Sequence, residues 1–382
     1  MRIPPFLLDQ WLATYEFASP PIRYNLASST GPRWTLGDLL ALGDRSGLKE
    51  LGELRLSYAP PQGTDALRKQ VAALHDVDPD WVVITTGASE ALSALYCLAS
   101  EPGASITLPF TSFPAMPVMA RAWGLTVSTY ALDRANGFKQ SAERVLAAVG
   151  ESTRLVLINT PHNPTGSVMP YAEIARLAAN LAHRLIPLIV DEVYHPLYHG
   201  APASVSAAQL PNTIVVGDLS KALSLPGLRI GWLIDRDARR RERLIDLRSY
   251  FTISGSPLTE AIAAHALANR DEILARLRAV VSANLATLTD FMNAHEDTLG
   301  WVAPAGGTTV FPWLRDGSDA RELCVALAKA GVLFAPGYTF DAPEHFRLGF
   351  GAQAEGFAEA LNIVSDVLRA PRALSAAAGG RR

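Results

Sequence analysis

Four short apolar segments, each followed at once by a polar or turn-forming motif, constrain the fold of this chain most strongly. They lie at 81–85, 106–108, 155–158 and 185–190, and a helical pattern follows each motif. Short strands that alternate with helices predict a mostly parallel sheet with helices on both faces. The sequence therefore predicts an α/β fold in which a three-layer, mostly parallel sheet forms a large domain.

Long helical patterns at 257–269 and 270–295 lead from these strands into a second region, which has predicted strands at 308–313 and 346–349. Their Ala- and Leu-rich periodicity favours a long connecting helix into a smaller α+β domain. We expect an N-terminal segment (1–45) that contributes to the small domain and the substrate pocket, followed by a large domain (46–275). A small domain (276–370) and a mobile tail (371–382) complete the predicted organisation.

The composition argues against several kinds of partner and site. A net charge of −3 and a pI near 6.3 give no reason to expect nucleic acid or an anionic membrane as a partner. Cys97 and Cys324 lie in apolar helical patterns and are predicted to be buried free thiols of a reducing compartment. No apolar run approaches the roughly 20 residues of a membrane helix, so we expect a cytoplasmic protein. Pro196 prevents the helix that a zinc-binding pair of His195 and His199 would need, so no metal site is predicted.

A fifth apolar segment, at 213–216, leads to the lysine that we expect to carry the chemistry. Lys221 should stand just beyond the carboxyl end of this strand, where open α/β sheets collect their ligands. A partly desolvated lysine becomes a nucleophile that forms Schiff bases, the usual way in which a protein holds pyridoxal phosphate (PLP). Arg229 follows after a Pro-Gly turn and could meet a phosphate. For this stretch alone, a surface Lys and Arg beside a turn remain the alternative.

Ser220-Lys221 and the run 227–231 (Gly-Leu-Arg-Ile-Gly) resemble the cofactor-lysine signature of the fold-type I aminotransferases, in their class I and II branch. The resemblance implies the type I fold of PLP-dependent transferases, with Lys221 and Ser220 at the cofactor and Arg229 on its phosphate. In one departure, Asp218 stands where the family usually has a Ser or Thr that donates to the phosphate. A carboxylate repels a phosphate, so Asp218 either points away or is replaced by another donor.

Two further segments resemble parts of the family's phosphate site. Gly87, Ala88 and Ser89 open a helix after the strand at 81–85, and small residues there expose backbone N–H groups at the positive helix end. Ser89 adds a hydroxyl, although it could be only a helix cap. Tyr58 precedes a Pro/Gly turn, and the resemblance implies that it reaches across a homodimer interface to the partner's phosphate. The alternative is a tyrosine packed at its turn.

The resemblance also assigns residues to the cofactor ring. Phe113 would stack on the ring, with a core phenylalanine as the alternative. Asn163, in the motif Asn-Pro-Thr-Gly, and Tyr194 would hydrogen-bond the ring hydroxyl. Asp191 would keep the pyridine nitrogen protonated and so make the ring an electron sink, whereas an ion-pair role is the alternative.

The same family places an arginine on the substrate α-carboxylate, and Arg347 matches it in order. Segment 25–33, which contains Ser29, matches the family segment that passes over the substrate pocket, so we expect Ser29 and Asn163 to contact substrate as well. The implied reaction is transamination between an amino acid and a 2-oxo acid. Lys221 would hold the cofactor as a Schiff base, be displaced by the amino acid and then move a proton at the substrate carbon.

Two alternatives remain open from the sequence. Segment 25–31 (Asn-Leu-Ala-Ser-Ser-Thr-Gly) is similar to that of the capreomycidine synthase-like branch of the fold. The second hypothesis is therefore an enzyme that catalyses elimination, replacement or cyclisation with the same cofactor. A PLP-binding regulator without turnover is the third. The chain has no added basic helix-turn-helix domain, which argues against the regulator.

Overall fold

The computed structural model of this protein describes residues 3–43, 51–200 and 204–370. The predicted mobile tail, 371–382, and the predicted boundary at residues 45 and 46 lie outside the described residues. Numbered in chain order, the described strands are β1 Tyr24–Asn25, β2 Val82–Thr85, β3 Ser105–Phe110, β4 Thr126–Ala131, β5 Thr153–Asn159, β6 Leu188–Asp191, β7 Thr213–Asp218, β8 Gly231–Asp235, β9 Leu299–Gly300, β10 Thr309–Val310, β11 Trp313–Leu314, β12 Val332–Leu333, β13 Ala335–Pro336 and β14 Phe346–Gly349. The described helices are α1 Leu7–Glu16, α2 Leu36–Leu40, α3 Asp65–His75, α4 Gly87–Ala99, α5 Ala115–Ala122, α6 Ala142–Ala147, α7 Tyr171–Ala182, α8 Ala238–Phe251, α9 Pro257–Ala268, α10 Arg270–Ala294, α11 Arg321–Lys329 and α12 Phe357–Arg369.

A seven-stranded sheet lies at the centre, with the strand order β2-β8-β7-β6-β5-β3-β4. Strand β8 runs antiparallel to both of its neighbours, and the other paired strands run parallel. Neighbouring side chains of one strand enter two different apolar clusters: Val215 belongs to one and Val216 to the other. The sheet is therefore covered on both faces, which confirms the predicted α/β fold with a mostly parallel sheet.

The carboxyl ends of the parallel strands lie along one edge of this sheet. Strands β5, β6 and β7 end at Asn159, Asp191 and Asp218, and the register places Asn159 beside Asp191. The predicted motifs follow these ends directly, because each apolar run stops where the strand leaves the core. The fold thus collects at one edge the side chains that the sequence pattern singled out.

Short strands from both ends of the chain form smaller sheets. One contains β10, β14 and β13, and in another Tyr24 of β1 pairs in parallel with Val332 of β12. Helix α1 is anchored on the same region, because Trp11 Nε1 donates a hydrogen bond to the Phe334 carbonyl at 2.8 Å. The beginning of the chain is therefore held against its C-terminal part.

Three local predictions were wrong. The strand predicted at 185–190 begins only at residue 188, because Leu185 has φ +55° and is 90 % exposed in the turn after α7. The strand predicted at 308–313 is split into β10 and β11, because Pro312 cannot donate to a ladder. Cys97 is half-buried rather than buried, whereas Cys324 is buried as predicted.

None of the helices in the described ranges is long and apolar enough to span a membrane. The same ranges hold no group of three or more His, Cys, Asp or Glu side chains arranged to bind a metal ion. His195 Nδ1 lies 3.0 Å from the Tyr198 hydroxyl, and His199 Nε2 donates to the Gly307 carbonyl at 2.7 Å. Both histidines therefore have hydrogen-bonding roles within the fold.

Candidate active site

Lys221 lies just beyond the end of β7, as the sequence predicted. Its ammonium donates to Ser29 Oγ at 2.9 Å, although the two residues are 192 positions apart. Burial lowers the pKa of Lys221, and the charge of Asp218 opposes that shift. A lowered pKa increases the fraction of neutral amine, which is the form that forms Schiff bases and accepts protons.

Arg347, on β14, is almost fully buried at 2 % exposure. Its Nη1 donates to Asn163 Oδ1 at 3.1 Å and its Nη2 donates to the Ala27 carbonyl at 2.7 Å. The third guanidinium nitrogen, Nε, is buried without a partner. Burial lowers the pKa of Arg347 to about 10. A buried, unpaired N–H beside a positive charge calls for an anionic acceptor, and a carboxylate would supply it.

Two carboxylates approach Lys221 from neighbouring strands. Burial raises the pKa of Asp191 to about 7, although the Val193 N–H donates to its Oδ1 at 3.2 Å and opposes the rise. Burial also raises the pKa of Asp218. Asp218 Oδ1 accepts from the Ser220 N–H at 2.9 Å, so this carboxylate caps the turn that carries Lys221. That bond gives Asp218 a structural role at the position where the family usually has a phosphate donor.

The start of α4 and Arg229 form a close-fitting cradle. A Cβ atom added to Gly87, which has φ +75°, would lie only 2.5 Å from Arg229 Nη2. A Cβ on Gly231 would likewise lie 2.4 Å from the Gly87 carbonyl carbon. With no side chain between them, the guanidinium and the positive end of the helix lie side by side. Together with Ala88 and the exposed Ser89, this arrangement suits a phosphate.

Tyr194 is buried, and its hydroxyl has no hydrogen-bond partner. Burial raises its pKa, while the charge of Arg347 and the nearby hydroxyls of Ser29 and Thr309 oppose the rise. The Thr309 hydroxyl is also buried and unpaired. Sequence reasoning missed Thr309. The Gly306-Gly307 pair shortly before it was a usable signal, because adjacent glycines are typical of a close approach of the backbone to another group. A Cβ on Gly307 would indeed lie 3.3 Å from the Tyr194 ring.

Two other sequence-predicted residues lie at the edge of this group. Phe113 is half-buried, and its ring makes an edge contact with the ring of Phe6, the residue before α1, at a centroid distance of 5.8 Å. Tyr58 is 80 % exposed, which removes the alternative of a tyrosine packed at its turn.

Asp9 is an exposed acidic residue whose charge interacts with Lys221 and Arg347, and the sequence analysis missed it. It lies on α1, where burial raises its pKa while the charges of Lys221 and Arg347 lower it. The charge of Asp9 in turn raises the pKa of Arg347, against the larger lowering caused by burial. Because Asp9 precedes Lys221 by more than 200 positions, no local pattern pointed to this proximity.

A one-directional chain of hydrogen bonds fixes the turn after β6. Trp232 Nε1 can only donate, and it lies 3.1 Å from His75 Nε2, so this nitrogen accepts and Nδ1 carries the hydrogen. Nδ1 then donates to Ser206 Oγ at 2.8 Å, and Ser206 donates to Glu192 Oε2 at 2.7 Å. The Ala207 N–H donates to the other Glu192 oxygen at 2.7 Å. Burial raises the pKa of Glu192 to about 7 and lowers that of His75.

The residues of this edge fit pyridoxal phosphate. The cradle at Gly87 and Arg229 matches a phosphate. The Tyr194 hydroxyl and Arg347 Nε are buried donors without partners, which oxygen atoms of the cofactor or the substrate would satisfy. Lys221 and Asp191 would hold the aldehyde carbon and the ring nitrogen. When bound, the cofactor supplies an aldehyde for Schiff-base formation and a ring that withdraws electrons from the substrate α-carbon.

Comparison with known proteins agrees with this fit. The profile of the family described as aminotransferase class I and II matches residues 42–364. The chain is 31 % identical over 370 residues to a capreomycidine synthase of Streptomyces vinaceus, covering 96 % of this chain and 94 % of that protein. It is 29 % identical over 338 residues to a probable aspartate/prephenate aminotransferase of Thermus aquaticus, covering 85 % and 87 %.

Solved structures of similar proteins cover nearly the whole chain. A PLP-dependent aminotransferase of Streptococcus suis superposes with a TM-score of 0.89 at 28 % identity, over 97 % of this chain and 98 % of that one. The PLP-dependent cyclase OrfR superposes with a TM-score of 0.86 at 26 % identity, over the same shares. The chain therefore belongs to the aminotransferase class I and II family, whose members use pyridoxal phosphate.

Proposed function

We propose that this protein converts an α-amino acid by means of PLP bound to Lys221 as a Schiff base. The observation that carries the proposal is the convergence of Lys221 and Arg347 on one segment, residues 27–29. Lys221 donates to Ser29, and Arg347 donates both to the Ala27 carbonyl and to Asn163. Arg347 binds the α-carboxylate through its free Nε. Lys221 then accepts the α-proton and returns it, a task for which a lowered pKa is suited.

Transamination is the reaction of many members of the family, and the aminotransferases of Thermus aquaticus and Streptococcus suis support it. The second candidate is elimination followed by replacement or ring closure. The likeness to a capreomycidine synthase over 96 % of the chain, and to the cyclase OrfR, favours this candidate. We therefore place elimination or ring closure ahead of transamination.

One experiment separates the candidates. The protein loaded with PLP is incubated in D2O with each common amino acid, with and without 2-oxoglutarate or pyruvate, and the products are followed by NMR. We expect exchange of the α-hydrogen, and product formation from a β-substituted amino acid without any oxo acid acceptor. Products that form only with an acceptor would assign transamination instead. A loaded protein that exchanges no α-hydrogen would contradict the enzymatic proposal and support a regulator.

We further propose a homodimer in which Tyr58 reaches the partner's phosphate site. Tyr58, Leu56 and Tyr250 are exposed by 80 %, 79 % and 87 %, and large exposed apolar side chains are typical of contact surfaces. Tyr58→Phe is expected to weaken PLP binding about tenfold, the loss of one hydrogen bond to a charged group, without dissociating the dimer. A monomer in sedimentation velocity experiments would contradict this proposal.

A further inference from the structure

The contact between Lys221 and Ser29 has a chemical consequence for the serine. Lys221 Nζ donates to Ser29 Oγ at 2.9 Å, and Ser29 is only 8 % exposed. A hydroxyl that accepts a hydrogen bond still has its own hydrogen to donate. The site therefore has a second proton donor directly beside Lys221, the residue that would accept and return the α-proton.

The position of Ser29 is fixed by several contacts. Thr308 Oγ1 donates to the Ser29 carbonyl at 2.9 Å, and Arg347 Nη2 donates to the carbonyl of Ala27 at 2.7 Å. On the other side, Gly349 passes so close that a Cβ on it would lie 1.8 Å from the Ser28 carbonyl oxygen. The guanidinium that would bind the α-carboxylate thus also fixes the segment that carries Ser29. Ser29 is thereby held beside Lys221.

Further hydroxyl groups lie near Ser29. The hydroxyls of Tyr194 and Thr309 are buried without hydrogen-bond partners, and the nearby Ser29 hydroxyl counteracts the rise in the pKa of Tyr194. A serine hydroxyl alone is a weak acid. Lys221 becomes an ammonium ion once it has taken the α-proton, and it can then return a proton to the serine.

We infer that Ser29 is the acid that protonates a leaving group on the substrate β-carbon, with Lys221 as its proton source. This inference rests on the proposed function. Lys221 removes the α-proton, the electrons of the Cα–H bond form the second bond between Cα and Cβ, and the Cβ–X bond breaks with its electrons on X. Ser29 gives its proton to X, and the Lys221 ammonium returns one to Ser29. The group leaves as HX, and both residues end in their starting states.

A purely positioning role for Ser29 makes a different prediction. If Ser29 only orients Lys221, its removal slows every reaction that begins with α-proton removal, whatever the leaving group. If Ser29 protonates the leaving group, its removal slows only the loss of groups that need a proton. Hydroxide leaves poorly without a proton, whereas chloride leaves readily as the anion.

The test begins with the amino acid whose α-hydrogen the PLP-loaded protein exchanges fastest in D2O. Its β-hydroxy and β-chloro derivatives are then supplied to the wild type, Ser29→Ala, Ser29→Thr and Ser28→Ala. Ser28→Ala is the matched control, because the Ser28 hydroxyl lies 2.9 Å from Thr30 Oγ1 in the same segment. Bound PLP and borohydride-reducible Schiff base are measured for every variant, so that loss of cofactor is not mistaken for loss of the acid.

We expect Ser29→Ala to retain the Schiff base and to slow loss of the β-hydroxyl about 100-fold or more, the usual contribution of a general acid. Loss of chloride and α-exchange should change less than about threefold, Ser29→Thr should recover hydroxyl loss, and Ser28→Ala should leave the ratio of the two elimination rates unchanged. Equal slowing of both eliminations, or of neither, would overturn the inference. Exchange without elimination from either derivative in the wild type would overturn it while leaving the proposed amino acid chemistry in place. A wild type that exchanges no amino acid would instead refute the proposed function.

Discussion

Arg347 Nη1 donates to Asn163 Oδ1 at 3.1 Å, and this bond joins β14 to the turn after β5 across 184 positions of sequence. The same guanidinium donates to the Ala27 carbonyl, so it also holds the segment before Ser29. Its Nε remains unpaired. The guanidinium of Arg347 therefore links β14 to the turn after β5 and to the segment before Ser29, and its Nε can still donate to a ligand.

Arg347→Lys should weaken amino acid binding far more than cofactor binding. A lysine cannot reproduce the fork that serves Asn163, Ala27 and the substrate at once. We expect the dissociation constant of a non-reacting carboxylic acid analogue to rise about 10- to 100-fold, which corresponds to the loss of one hydrogen bond between charged groups. Calorimetry with the analogue and PLP absorbance give the two affinities, and equal losses of both would contradict the role of Arg347.

Gly87→Ala should disrupt the phosphate cradle. The added methyl would lie 2.5 Å from Arg229 Nη2, so the guanidinium has to move. Gly103→Ala is a matched control, because Gly103 has a similar φ of +80° but no atom within 4 Å of the added methyl. Both variants should lose about 1 kcal/mol of stability from backbone strain, but only Gly87→Ala should bind PLP about tenfold or more weakly. Equal PLP affinities in equilibrium dialysis would argue against the cradle.

The buried carboxyl groups of Asp191 and Glu192 should each contribute less stability to the cofactor-free protein as the pH rises from 5 to 7. Burial raises the pKa values of Asp191 and Glu192 to about 7, so the native state retains protons that the unfolded state has already released. Each such group lowers the free energy of unfolding by up to about 1.4 kcal/mol per pH unit in this window, and the decline ends above the folded pKa. Buried histidines with lowered pKa values, such as His75, His162 and His195, contribute the opposite slope, so the prediction concerns the difference between two variants. Asp191→Asn keeps an acceptor for the Val193 N–H and should gain stability relative to the wild type as the pH rises through this window. Urea unfolding of both proteins at several pH values measures the difference, and a difference that does not change with pH would contradict the raised pKa of Asp191.

Above pH 8, where Glu192 is ionised, Glu192→Gln should destabilise the protein because it reverses one link of the hydrogen-bond chain. The amide must donate to Ser206, which then donates to His75, and the displaced imidazole hydrogen meets the Trp232 N–H. We expect a loss of about 1–3 kcal/mol, the cost of leaving a buried polar group unpaired.

Trp232→Phe frees His75 Nε2 to carry the hydrogen, so it should relieve part of that loss. In a double-mutant cycle we expect a favourable coupling of about 1 kcal/mol between Glu192→Gln and Trp232→Phe. Strict additivity in thermal unfolding would show that the direction of the bonds is not fixed as described.

Much of the site could be predicted because its residues follow strand ends. The apolar runs before Asp191 and Lys221 fix where those residues leave the core, and both lie where expected. Their relation to Ser29, Asp9 and Thr309 could not be read in the same way, since it depends on how distant segments pack. Local patterns report periodicity, whereas a contact over 192 positions is set by the tertiary fold.

The wrong predictions have equally local causes. Leu185 belongs to an apolar run, but the turn after α7 needs a residue with positive φ before the strand can begin. Asp218 is a different case, because the sequence already showed that a carboxylate replaces the family's usual Ser or Thr there. The fold adds that this carboxylate accepts a hydrogen bond from the Ser220 N–H.

The central claim is that Lys221 holds the cofactor as a Schiff base. The most direct test is borohydride reduction of the PLP-loaded protein, followed by digestion and mass spectrometry. The account predicts a reduced PLP adduct on Lys221, and a folded Lys221→Ala variant without a reducible Schiff base. An adduct on another lysine, or an unchanged visible absorption band in Lys221→Ala, would contradict the account.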